Sequence, residues 1–227
     1  MVGTAPPYTL KPMPTSSTMP AAPQKPRVVL FNLPNQLTTL RLILSAILFG
    51  MIECRWYLGS TILFTIAAGT DWLDGYYARK YSMVTTLGRI LDPFVDKVIV
   101  LGTFTYLLAI EIVRSPDGVL LIDSGVRAWM VVVILGRELL VTALRSFLEQ
   151  QGADFSATLS GKLKMVVQCV AAGYCLFYVH LATTYGPPST AWTLGRDLLL
   201  WATVILTVVS GLAYLRAALV ILKEQRA

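Results

Sequence analysis

Six apolar runs follow one another between residues 35 and 222, each near the length that carries a helix across a bilayer. About 20 consecutive apolar residues are enough for such a helix. The runs fall at about 35–54, 57–79, 86–113, 126–150, 157–183 and 191–222. Breakers separate them: "RSPDG" at 114–118, Gly152, and "YGPPS" at 185–189. Pro34 and Asn35 in "LPNQLT" supply a start signal for the first run. Only 14% of the 227 residues are charged, where a soluble domain carries about a quarter. The fold class this predicts is all-α, a polytopic integral membrane protein with six transmembrane helices.

Residues 1–30 are rich in Pro, Ser, Thr and Ala and show no apolar periodicity. Such a segment cannot bury enough surface to offset its ordering entropy, so a disordered tail is expected there, followed by one membrane domain over 31–227. The tail lacks acidic residues, as transit peptides do, but it is poor in arginine and shows no amphipathic helix. Cys54, Cys169 and Cys175 are widely spaced within apolar segments and read as small buried hydrophobes.

The basic residues divide unevenly between the two ends of the runs. Lys11, Lys25, Arg27, Arg79, Lys80, Arg89, Arg145, Lys162, Lys164, Lys223 and Arg226 fall on one side, against Arg55, Arg114, Arg127 and Arg196 on the other. The richer side is expected to be cytoplasmic, with both termini there. The net charge of +6 is thereby explained by topology. No nucleic-acid partner is expected, because no basic stripe with interleaved aromatics occurs. Tyr and Trp at 56, 57, 185, 192 and 201, and His180, read as residues of the membrane interface or lipid-facing packing.

Against this apolar background stand four aspartates, at the end of the second run and the start of the third. Asp71 and Asp74 are three apart and share a helix face; Asp92 and Asp96, four apart, share a face of the next helix. A turn around 80–86 lets the two helices pack antiparallel and bring the acids together. Four unneutralised carboxylates in a partly dehydrated groove repel strongly and need cations. Oxygen-only ligands favour hard ions such as Mg²⁺ or Mn²⁺, and four carboxylates can hold a pair of ions about 3.5–4 Å apart. Gly75, Ala78 and Gly88 leave room for a ligand, and Arg79 is placed to meet a phosphate oxygen. Lys97 follows the last acid but points elsewhere on the helix, towards solvent or lipid headgroups. The plainer account is helix-end charge paired with Arg79 and Arg89. It suits one or two aspartates, not four at paired spacing.

The segment "DWLDGYYARKYSMVTTLGRILDPFVD" resembles the signature of the CDP-alcohol phosphotransferase family, D-x-x-D-G-x-x-A-R-x8-G-x-x-x-D-x-x-x-D, at every fixed position. That resemblance implies a six-helix membrane fold, a homodimer, and displacement of CMP from a CDP-linked donor by an alcohol. It implies two divalent cations, Mg²⁺ or Mn²⁺, in a cavity open to the cytoplasm, held by Asp71, Asp74, Asp92 and Asp96. Asp96 doubles as the base that takes the acceptor hydroxyl's proton. Gly75, Ala78, Arg79 and Gly88 correspond to the CDP-diacylglycerol cradle, and Asn35, Thr38 and Arg41 on the first helix face the nucleotide. A helix cap plus a snorkelling arginine is the other account of those last three.

"FNLPNQLTTLRLIL" (31–44), "GRELLVTALRSFLEQQG" (136–152) and "SGKLKMVVQ" (160–168) resemble the family members whose acceptor is sn-glycerol 3-phosphate. A phosphorylated acceptor needs its own cationic pocket. Arg137 and Arg145 lie about two turns apart on the fourth run, broadly on one face. Lys162 opens the fifth run on the same side. Lys162 and Lys164 face opposite ways, so one of them is expected to reach the cavity. The competing account makes these residues contacts to anionic headgroups. Ser146 and Met165 stand where the family pattern has Glu and Thr. Other acceptors would make the chain a cardiolipin, phosphatidylserine or phosphatidylinositol-phosphate synthase. From a different class, intramembrane acids also mark divalent-cation transporters, but no acid continues the path across the middle of the membrane. A catalytically silent scaffold is disfavoured because nothing holds four carboxylates in place without metal. The expected location is the bacterial plasma membrane, with the active site facing the cytoplasm.

Overall fold

The computed structural model describes residues 33–81, 86–110, 123–150 and 159–224, with side chains except at 33–35, 37–38, 70–81, 86–93, 96, 148–150, 159–160, 162 and 220–224. Among the described residues there are six α-helices and no strand: α1 (Leu33–Glu53), α2 (Tyr57–Tyr81), α3 (Thr86–Ala109), α4 (Ala128–Gln150), α5 (Leu159–Tyr185) and α6 (Thr190–Glu224). Pro34 falls in the first turn of α1, where its missing N–H costs nothing. The tail at 1–30 and the breakers at Gly152 and 114–118 lie outside the described residues.

The helices close into a ring. α1 packs against α2 and α3, α5 against α2, α3 and α6, and α4 against α6 and α3. Around the bundle the order is therefore α1, α2, α5, α6, α4, α3, with α3 also reaching α5 across the middle. α2 and α3 are thus both gripped by α1 on one flank and α5 on the other. The core runs through the ring, with Leu48, Phe64, Phe104, Leu107, Ile134 and Leu176 almost fully buried. α1 and α3 approach closely because Gly102 has no Cβ, and the Phe49 ring occupies the space one would fill. Hydroxyls inside the bundle turn back on their own helix: Ser45 donates to the Leu42 carbonyl at 2.7 Å and Thr103 to that of Ile99 at 2.7 Å.

Long apolar side chains also face outwards. Val132, Leu139, Val166, Leu198 and Val209 are each more than half exposed, on α4, α5 and α6. Two helical stretches, Leu163–Tyr185 and Thr190–Leu219, are long and apolar enough to cross a membrane, with mean hydropathies of 1.7 and 2.2. Tyr57–Gly69 and Lys97–Ala109 are shorter apolar stretches.

Several local expectations change. Cys54 is exposed, in the three-residue joint between α1 and α2, where Arg55 takes a left-handed φ of 60°. Cys175 is buried and Cys169 half-buried; none of the three is in a disulfide. Of the five expected interfacial aromatics, Trp56, Tyr185, Trp192 and Trp201 are exposed, but Tyr57 sits in the core. His180 is half-buried, with its ring near Phe177 and Tyr185 and Thr184 Oγ1 3.2 Å from Nδ1.

At the end of the bundle where α4 begins, the chain is clasped to α6. Arg196 Nη1 donates to the Asp123 carbonyl at 2.6 Å, and its Nε to Asp197 at 2.8 Å. The guanidinium lies 4.6 Å from the centroid of the Tyr178 ring. Gly125 makes room for it: φ is +78°, and a Cβ there would fall 2.5 Å from Arg196 Nε. Gly125→Ala is therefore expected to destabilise the protein by about 2 kcal/mol or more, from the backbone penalty and the clash together. Thermal unfolding in detergent reads this out; an unchanged midpoint would mean the clasp contributes nothing.

Candidate active site

Asp71, Asp74, Gly75, Ala78 and Arg79 lie on the last turns of α2, and Gly88, Asp92 and Asp96 on the first half of α3. Both segments are helical throughout, so each aspartate pair shares a face of its helix. Asn35 and Thr38 lie at the start of α1, the helix that packs on both α2 and α3. The side chains of all these residues lie outside the described set. Arg41, one turn further along α1, is described and is buried. The register of α3 at the last acid is fixed by its neighbours. Val95 is buried in the core, and the Lys97 ammonium donates to the Thr142 hydroxyl on α4. Lys97 thus ties α3 to α4 and does not simply point to solvent.

Beyond that tie lies a buried cationic cluster. Arg137 on α4 and Lys164 on α5 have side chains only 9% and 5% exposed. Both meet the same carboxylate oxygen: Glu138 Oε1 accepts from Arg137 Nη1 at 3.3 Å and from the Lys164 ammonium. Arg137 and Lys97 both act electrostatically on Lys164, and Arg145 on Arg137. Glu138 thus pairs directly with two cations, Arg137 and Lys164, and Lys97 and Arg145 lie within electrostatic reach of one or other of those two. α6 supplies the floor, with the Arg137 guanidinium 5.4 Å from the centroid of the Tyr214 ring.

Arg137 is not satisfied by this surrounding. Among the described residues, neither its Nε nor its Nη2 has a hydrogen-bond partner, and Arg145 Nε is likewise buried without one. Nε and Nη2 form one edge of the guanidinium, the fork that takes two oxygens of a phosphate or carboxylate. A buried cation with an open two-donor edge is costly unless an anion meets it. Chemically, such an edge suits an anionic oxygen pair. Of the four expected anion-binding residues, Arg137 and Lys164 are brought together, Arg145 lies within electrostatic reach, and the Lys162 side chain is outside the described set.

A cleft of about 250 Å³ at the α4-start end is lined by Gly125, Arg127, Met130, Arg196, Leu200 and Trp201. Arg196 there has its Nε, Nη1 and Nη2 all engaged by Asp197 and the Asp123 carbonyl. It offers no comparable open edge.

Residues 31–209 match the family model for CDP-alcohol phosphatidyltransferases. The chain belongs to the CDP-alcohol phosphatidyltransferase family. A protein of Bacillus subtilis named CDP-diacylglycerol–glycerol-3-phosphate 3-phosphatidyltransferase is 36% identical over 200 residues, 82% of this chain and 94% of that protein. Proteins of the same name from Rickettsia typhi and Escherichia coli K12 are each 30% identical. They cover 82% and 86% of this chain, and 96% and 99% of their own lengths. The family match spans α1 to most of α6 and includes both the acid-bearing helices and the cationic cluster.

Glu138, Gly211 and Tyr214 are parts of this phosphatidyltransferase's cluster that the sequence reading did not single out. α6 did carry a signal. Thr203, Thr207, Ser210, Gly211 and Tyr214 recur at helical spacing in an otherwise apolar helix, and all are buried. Gln168, one turn beyond Lys164, donates to Thr207 Oγ1 at 3.2 Å and joins α5 to that stripe.

Proposed function

We propose that this chain transfers the phosphatidyl group of CDP-diacylglycerol to sn-glycerol 3-phosphate, forming phosphatidylglycerophosphate and releasing CMP. The observation that carries the choice of acceptor is the buried Arg137 fork beside Lys164, a seat for the phosphate that a glycerol 3-phosphate brings and that serine or a plain alcohol lacks. The names of the relatives point the same way.

Asp71, Asp74, Asp92 and Asp96 would hold two divalent cations, Mg²⁺ or Mn²⁺; an all-carboxylate donor set carried by α2 and α3, the two helices that α1 packs against, suits such hard ions. When bound, the ions neutralise the donor's pyrophosphate and the charge that develops on departing CMP. Gly75, Ala78 and Gly88 leave space for the nucleotide and pyrophosphate, Arg79 meets a phosphate oxygen, and Asn35 and Thr38 line the nucleotide side. Arg137 and Lys164, with Arg145 and Lys162, hold the acceptor's phosphate. Its hydroxyl attacks the lipid-side phosphorus in line, Asp96 takes the hydroxyl proton, and the bond to CMP breaks.

In this reading all six helices cross the bilayer, with both termini and the acidic helix ends on the basic, cytoplasmic side of a bacterial plasma membrane. Outward-facing apolar side chains on α4, α5 and α6 support burial in lipid. The enzyme works as a homodimer and has no nucleic-acid partner. Purified protein in detergent micelles is expected to release CMP only when CDP-diacylglycerol, glycerol 3-phosphate and Mg²⁺ or Mn²⁺ are all present. Release independent of glycerol 3-phosphate would overturn the reading.

A further inference from the structure

We infer that Glu138 is a positioning residue for the acceptor: it sets the Arg137 guanidinium and the Lys164 ammonium as one anion receptor across two helices, leaving the Arg137 fork open for the phosphate. The inference rests on the proposed function.

Glu138 is buried and its Oε1 is the shared acceptor of both cations. Adjacent residues on a helix do not face one another. Arg137 nonetheless turns its Nη1 end back to Glu138. A guanidinium held at Nη1 presents the opposite Nε and Nη2 edge outwards, and these are the two buried donors that have no partner among the described residues. The stem is guided from the other side by α6. Gly211 lies against it, where a Cβ would come within 3.0 Å of Arg137 Cγ, and the Tyr214 ring lies under the guanidinium.

Lys164 is held from a second helix. α4 packs mainly on α6 and α3, so the Glu138–Lys164 ion pair brings an α5 cation to an α4 cation. Two like charges that close repel, and the Glu138 carboxylate between them offsets that repulsion without occupying the fork. Glu138 thus touches neither substrate; it acts through Arg137 and Lys164. Its loss should weaken acceptor capture and leave capture of the nucleotide donor alone.

Two variants test this from opposite sides. Glu138→Gln keeps the shape but removes the charge that both cations share. Gly211→Ala keeps every charge, replaces a poor helix former with a good one, and pushes on the Arg137 stem. Initial rates of CMP release would be measured for purified full-length protein against each substrate, with thermal unfolding in detergent alongside. Both variants are expected to raise KM for glycerol 3-phosphate, by about tenfold for Glu138→Gln and several-fold for Gly211→Ala, with KM for CDP-diacylglycerol within about twofold of wild type. An unchanged acceptor KM in both folded variants overturns the inference, as does an equal rise for both substrates. Should Glu138→Gln fail to fold, Glu138→Asp, which keeps the charge on a shorter stem, takes its place and is judged by the same criterion. A wild-type protein that ignores glycerol 3-phosphate would instead sink the proposed function, so the two failures are distinct.

Discussion

Asp96→Asn is expected to leave a folded protein whose turnover has fallen by about three orders of magnitude. Asparagine matches aspartate in size and keeps one oxygen for a cation, but it cannot take a proton from the acceptor hydroxyl. The fold should tolerate the change because the surrounding turn of α3 is anchored independently. Val95 is packed in the core, and Lys97 is held by the Thr142 hydroxyl. Single-turnover CMP release, with the unfolding midpoint as the control for folding, is the relevant measurement. A rate near that of wild type would remove Asp96 from the role of base.

The second large effect is expected for Arg137→Lys. Lysine preserves the charge but replaces the planar fork with a point donor on a shorter reach, so the bidentate contact to phosphate is lost. Each charge-assisted hydrogen bond is worth about 1.5–3 kcal/mol, which puts the loss in kcat/KM for glycerol 3-phosphate on the order of 100-fold. KM for CDP-diacylglycerol should hold, because the donor is assigned to the α1, α2 and α3 ends. A variant with an unaltered acceptor kcat/KM would mean that the buried fork serves another anion.

Both expectations combine what was legible in the chain with what was not. The six helices were readable from apolar periodicity and breakers, since each run is long and nearly uninterrupted between them. Where boundaries shifted, local hydrogen bonding decided them. The third helix stops at Ala109, with the Ile110 N–H turned to the Leu107 carbonyl at 3.4 Å. The fourth begins at Ala128 because the preceding turn is committed elsewhere. Asp123 Oδ1 accepts from the Gly125 N–H at 2.9 Å, Ser124 Oγ accepts from the Val126 N–H at 3.3 Å, and Gly125 has a left-handed φ.

The placement of the four acids on α2 and α3 was legible for a different reason, because spacing within a single helix is displayed directly by sequence. The buried cluster around Glu138 was legible only as a set of nearby cations. Glu138 and Lys164 are 26 residues apart, and Tyr214 belongs to a helix assigned nothing but apolar packing. Neighbouring Arg137 and Glu138 are a pair that helical geometry alone would keep apart. Tertiary packing of α6 under α4 made the difference. The same kind of packing explains Lys97, whose bond to Thr142 on α4 depends on a contact between helices that spacing within α3 does not display.

The most direct measurement is the mass of the lipid made when purified protein, CDP-diacylglycerol and a divalent cation meet glycerol 3-phosphate, serine, inositol phosphate and phosphatidylglycerol at equal concentration. The account predicts phosphatidylglycerophosphate as the product, formed mole for mole with CMP. Phosphatidylserine, phosphatidylinositol phosphate or cardiolipin as the main product would contradict it.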